Sequence, residues 1–106
     1  MVKYKQTNKV IMKKFVLTYA YMTKEEIGYV KSPYKPLLVS NDMNTLMKSV
    51  ENLAQRIFQE NNPNFLEWDK WNVQLNASHA EIVVKQTNRD KDGIHFVIDE
   101  VDFILS

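Results

Sequence analysis

The chain has 106 residues, with 14 Lys and Arg against 13 Asp and Glu, no Cys and a formal charge of +1. A length near 100 accommodates one core and not a doubly wound cofactor fold beside a second domain, so residues 1–106 are expected to form a single α+β domain. At 44% hydrophobic and 25% charged residues it reads as globular, and the absence of a cysteine thiol excludes a disulfide framework, thiolate metal sites and a cysteine nucleophile.

The first residues, MVKYKQTNKVIMKKF, are basic and lack the apolar run of a secretory signal; nowhere do about 18 apolar residues run together to cross a membrane. A cytoplasmic location with no membrane partner is expected. Met12-Lys13-Lys14-Phe15 reads like a natural beginning, which makes residues 1–11 either an extension or an extra strand. Positions 14–22 alternate, with Phe15, Leu17, Tyr19 and Tyr21 on one face and Val16, Thr18 and Ala20 on the other, and this predicts a strand. A polar break at 23–26 leads into 27–31 as the return arm of a hairpin. Pro33 and Pro36 stop regular pairing before Leu37-Leu38-Val39 can resume an extended run.

The most secure element is a helix at about 42–60. Met43, Leu46, Met47, Val50, Leu53, Ala54, Ile57 and Phe58 recur at spacings of three and four and form one apolar stripe. Ser40 or Asn41 supplies the N-cap oxygen, Asp42 suits the positive end of the helix dipole, and Asn61-Asn62-Pro63 ends the segment. A second, short helix is expected from Pro63 to about Lys70. Residues 71–75 and 80–87 then read as strands, and 88–93 as turn chemistry. In the last run, Ile94, Phe96 and Ile98 share a face, after which the phase switches to Val101, Phe103 and Leu105; a β-bulge near Asp99-Glu100 accounts for such a switch. The expected architecture is α+β: an antiparallel sheet of four to six strands with the helix on one face, in the order β-β-α-(short α)-β-β-β.

The near-neutral total hides a division. Residues 1–35 hold eight Lys against Glu25 and Glu26, a net of +6, whereas the remainder holds six basic against eleven acidic residues, a net of −5. The preferred reading makes the first and last strands neighbours in one sheet, where opposite charges attract across the ladder. The alternative is a nucleic-acid-binding surface built from Lys3, Lys5, Lys9, Lys13, Lys14, Tyr19 and Tyr21. Only two Arg and no RNP-like signature accompany it.

Chemical motifs are sparse. Asn88-Arg89-Asp90-Lys91-Asp92-Gly93 resembles the start of a calcium loop, but its flanks read as strands, which favours a hairpin loop. His79 and His95 are read as standing in no recognisable H-x-E, H-x-x-x-H or H-E-x-x-H pattern, so neither metal ligation nor general-base catalysis is expected. No cofactor is implied, since two glycines cannot build a phosphate cradle. Phe65, Trp68 and Trp71 recur every three residues beside charged neighbours, the composition of a partner-binding hot spot or of a cap on the core. Apolar residues on both faces of the 14–22 strand and of the last strand point to a second copy as cover. Twelve Lys to two Arg and ten Asn match adenine- and thymine-rich coding, common in phages. The expected function is therefore a non-enzymatic protein-interaction module, of the kind found among phage or mobile-element accessory and inhibitor proteins that bind a host protein.

Overall fold

A computed structural model describes residues 10–61, 68–86 and 92–105. In chain order they form β1 (Val10–Glu25), β2 (Gly28–Lys31), β3 (Lys35–Ser40), α1 (Met43–Asn61), β4 (Trp68–Leu75), β5 (His79–Gln86) and β6 (Gly93–Leu105). The strands make a six-stranded sheet in the order β2-β1-β6-β5-β4, with β3 also paired to β1. Every pairing is antiparallel and the helix lies on one face, an α+β fold in the order β-β-β-α-β-β-β.

β1, with 16 residues, is the spine. One edge pairs with β6 in an unbroken register from Val10↔Leu105 to Met22↔Gly93. Its other edge is shared, with β3 beside residues 15–19 and β2 beside residues 22–25. The first and last strands are thus neighbours, as the charge division implies, and Lys13 lies 3.6 Å from both Glu100 and Asp102. Between β2 and β3, Ser32 closes the gap: its N–H donates to the Tyr21 carbonyl at 2.8 Å, and its hydroxyl accepts from the Tyr21 N–H at 2.9 Å.

α1 forms where the apolar stripe predicts. Leu46, Val50, Ala54, Ile57 and Phe58 are buried against Leu17 of β1, Ala80, Ile82 and Val84 of β5, and Ile94, Phe96 and Ile98 of β6. Each large side chain buried there contributes about 2 kcal/mol of transfer free energy. The N-cap is Asp42 rather than Ser40 or Asn41, because its carboxylate accepts from the Asn44 N–H at 3.1 Å and the Thr45 hydroxyl at 3.2 Å. Ser40 instead accepts from the Asp42 N–H at 3.1 Å.

Four local expectations change. β1 runs on through the polar stretch to Glu25, and the hairpin turns at Glu26-Ile27. Pro36 lies within β3, opposite Thr18, and the register shift beside it leaves Leu37 as the extra residue; the outer position of β3 makes proline's missing N–H harmless. Trp68, Asp69 and Lys70 are in β4, paired with Gln86, Lys85 and Val84, so the short helix does not reach them. Its residues 63–67 lie outside the described residues. The ladder with β5 holds these residues extended, and the shift between Lys70 and Asn72 makes Trp71 the bulge residue. Finally, β6 carries no bulge near Asp99-Glu100, since its registers with β1 and β5 are both regular.

The phase switch in β6 has another cause. β5 ends at His79↔Asp99 and β3 ends at Phe15↔Ser40, so residues 10–14 and 101–105 continue as a two-stranded ribbon beyond the body of the sheet. Among the described residues no core lies beneath this ribbon to impose one apolar face. Ile11 and Ile104 sit opposite each other and are 63% and 64% exposed; Met12 and Phe103, also opposite, face the other way and are exposed too. Among the described residues no helix is long and apolar enough to cross a membrane.

Candidate functional site on the open face of the sheet

The strand alternation divides the polar side chains between two faces. Odd positions of β1 pair with even positions of β6 on the helix side, where Leu17 meets Ile98 and Tyr19 meets Phe96. Even positions of β1 and odd positions of β6 point away from the helix. On that open face the register sets Ala20 opposite His95, Glu81 opposite Val97 and His79 opposite Asp99.

His95 is the one buried polar residue among those described, at 8% exposure. Its Nε2 lies 2.9 Å from Glu81 Oε1, and the other carboxylate oxygen lies 3.0 Å from His79 Nε2. His79 Nδ1 in turn meets the Asp99 carboxylate. At the opposite end, His95 Nδ1 faces the Tyr34 hydroxyl at 2.5 Å and the Lys31 ammonium at 3.2 Å. Lys31 also donates to the Tyr34 hydroxyl at 3.3 Å, and the Tyr34 ring stands edge-on to the imidazole with centroids 5.6 Å apart. The result is a continuous chain, Asp99–His79–Glu81–His95–Tyr34/Lys31, in which acids and bases alternate across four segments of the fold.

The partners fix the protons. Nε2 of His95 faces a carboxylate, so the neutral tautomer with hydrogen on Nε2 donates to Glu81 and leaves the single Nδ1 lone pair to accept from the Tyr34 hydroxyl, the nearer of two donors, while Lys31 also donates to that hydroxyl. Hydrogen bonds to Glu81 first and Asp99 second raise the His79 pKa above its ordinary value, and hydrogen bonds from His79 and His95 lower that of Glu81. Among the described residues no group of three or more His, Cys, Asp or Glu is disposed to hold a metal ion.

Neighbouring side chains close the rest of this face. Met22 is buried, and a β-carbon on Gly93 would lie 2.8 Å from both the Met22 Cε and the Val84 carbonyl oxygen, the latter fixed by the backbone. The Tyr29 ring lies under both the Lys24 and Lys85 ammonium groups, at 5.1 and 4.4 Å. Ala20 and Met22 are buried within the single chain.

The expected nucleic-acid set is scattered by the fold. Lys3, Lys5 and Lys9 lie outside the described residues. Lys13 faces the helix side and is engaged by Glu100 and Asp102, whereas Lys14 faces the open side opposite Val101. Tyr19 packs on Phe96 with centroids 6.5 Å apart, and Tyr21 on Phe58 at the same separation. The Tyr21 hydroxyl donates to Asp92 at 2.8 Å, and burial, aided by that carboxylate, pushes the phenol well above its usual range. Asp92 also accepts from the Lys24 N–H at 2.8 Å, so this residue of the calcium-like stretch ties the β5–β6 connection to β1. Of the expected partner-binding trio, Trp68 and Trp71 lie along β4, and Phe65 is outside the described residues.

Sequence reading missed the histidine chain because three of its links cross between strands. The reading that neither histidine stands in an H-x-E pattern is wrong for His79-Ala80-Glu81, whose spacing in a strand puts both side chains on one face. Its other members, 14 and 18 residues after Glu81, join it only through the β5–β6 register. Comparison of the chain with protein-family models, curated proteins and solved structures finds no match.

Proposed function

We propose that the protein acts without catalysis, as a module that binds another protein through the ribbon of residues 10–14 and 101–105. The observation that carries this reading is the pair Ile11 and Ile104, opposite each other and each more than three-fifths exposed on a ribbon that no other described element covers. An isolated two-stranded ribbon is marginal in water, and its outer edges, unpaired among the described residues, offer backbone groups to a further strand. β4, at the sheet's end with Val73 and Leu75 exposed and Trp68 and Trp71 in its length, extends the same apolar theme. An accessory or inhibitor protein of a phage or mobile element, acting on a host protein in the cytoplasm, fits this mode. A second copy of the chain is the competing occupant.

The test replaces both isoleucines, Ile11→Lys with Ile104→Lys, and follows a photo-cross-linker placed at Phe103. The wild type is expected to cross-link to one defined protein, the double variant to lose it while its thermal melt stays within a few degrees. A cross-link only to its own chain, with sedimentation as a dimer of the 12.5 kDa unit, would transfer the ribbon to self-association. No cross-link in either form would remove the reading.

A second reading has its own observation. The open face gathers Lys24, Tyr29, Lys31, Tyr34 and Lys85 with the two histidines, a basic and aromatic sheet surface of the type that stacks single-stranded bases. Salt-dependent retention on immobilised RNA, abolished by Tyr29→Ala but not by the ribbon variant, would favour it.

A further inference from the structure

We infer that His95 is the catch of a pH-operated latch, which at neutral pH seats the link of residues 33 and 34 on the open face and on acidification releases it. This surface is separate from the ribbon, and the inference stands whichever partner the ribbon takes.

The argument rests on what each neighbour of His95 can accept or donate. From β5 the imidazole faces Glu81, with His79 beyond it; from β2 it faces Lys31; from the link it faces Tyr34. β1 presents Ala20 opposite, which has no charge, and on β6 itself Asp99 is engaged with His79. In the neutral form, Nδ1 is an acceptor and Tyr34 and Lys31 are donors. A second proton turns Nδ1 into a donor. The Tyr34 hydroxyl must then reverse, and the imidazolium stands 3.2 Å from the Lys31 ammonium, which no carboxylate among the described residues pairs with.

The opposite end of the chain responds the other way. An imidazolium at Nε2 strengthens its bond to the Glu81 carboxylate, which His79 and Asp99 hold in place from β5 and β6. Acidification therefore keeps His95 fixed to the sheet and drives away the side that is less firmly held. Ser32 defines the hinge, because its two hydrogen bonds to Tyr21 involve no titrating group. Beyond it, residues 33 and 34 pair with no strand, and Tyr34 holds to the face through His95 and Lys31. The expected motion is a swing of Tyr34 and Lys31 off the imidazole, which uncovers the one buried polar side chain among those described.

Nuclear magnetic resonance of the intact chain tests this from about pH 8 down to about pH 5, across the range in which imidazoles titrate. In the wild type, the ring-to-ring Overhauser contact between Tyr34 and His95 is expected at the upper limit and lost as the His95 resonances report protonation. Amide exchange at Ser32 and at the buried Ile98, corrected for its intrinsic pH dependence, is expected to keep its protection over the same range. In Lys31→Met, which removes the opposing charge, most of the contact is expected to survive acidification. In His95→Gln, the Tyr34 ring resonances are expected to show no transition over this range. A contact that persists in the wild type after His95 is protonated would overturn the latch. So would equal loss in Lys31→Met, which serves as the decisive variant if His95→Gln does not fold.

Discussion

At His79 two carboxylates meet one imidazole, and the sign of their effect on stability differs from that at Glu81. The raised folded pKa of His79 means that its contribution is complete below the unfolded value of about 6.5 and fades as pH rises through the folded value. Glu81 is lowered, so its contribution is present above its ordinary value of 4.5 and is lost as pH falls through the folded one. Both act together between those limits. His79→Gln is expected to lower the urea midpoint at about pH 5.5 and to match the wild type at about pH 9, where the imidazole carries no charge. An equal loss at both pH values would show that shape, not charge, explains the residue. His79 is exposed, so the comparison of the two pH values carries the test and not the size of either change.

For the elements, periodicity and termination were legible to different degrees. The stripe from Met43 to Phe58 specifies α1 because only a period near 3.6 brings those side chains to one face. Leu17, Tyr19, Ile94, Phe96 and Ile98 specify strands by a period of two. Endings depend on which neighbour stops where, and that information is not local. Residues 23–25 are polar and still extended because β2 pairs with them, and Trp68 is in a strand because Gln86 lies opposite. The phase switch in β6 was visible, but it marks the end of β5 rather than a bulge. The histidine chain was hidden for the same reason, since pairing His79 with Asp99 requires the register and not the residue types. The N-cap moved one residue from its expected place because Asp42 reaches both the Asn44 N–H and the Thr45 hydroxyl. Asp42→Ala is expected to destabilise the protein by about 1 kcal/mol in chemical denaturation, and Asp42→Asn by less, since an amide oxygen still caps. A loss of equal size in both variants would assign the effect to the helix dipole instead.

For the whole molecule, the sheet is a body sealed on the helix side and a ribbon that protrudes from it. Amides of β6 that pair with β1 at positions 101–104 are expected to exchange at least about tenfold faster than those at 94–98, because the former lack the covering layer. Uniform protection along β6 would mean that the ribbon is covered in solution. The long pairing of β1 with β6 also governs how the fold is reached. The matched positions are between 71 and 95 residues apart in sequence, so the spine finds its principal neighbour only after nearly all the intervening chain has been made and arranged. Non-local pairing of this kind slows folding and leaves sticky strand edges waiting. During synthesis β1 emerges early, can form its hairpin with β2 and receive β3, and keeps its other edge open until β6 arrives. That interval, rather than the finished sheet, is where the chain is most exposed to mispairing with its own copies, and charges such as Lys13 and Lys14 on the waiting edge are well placed to discourage it.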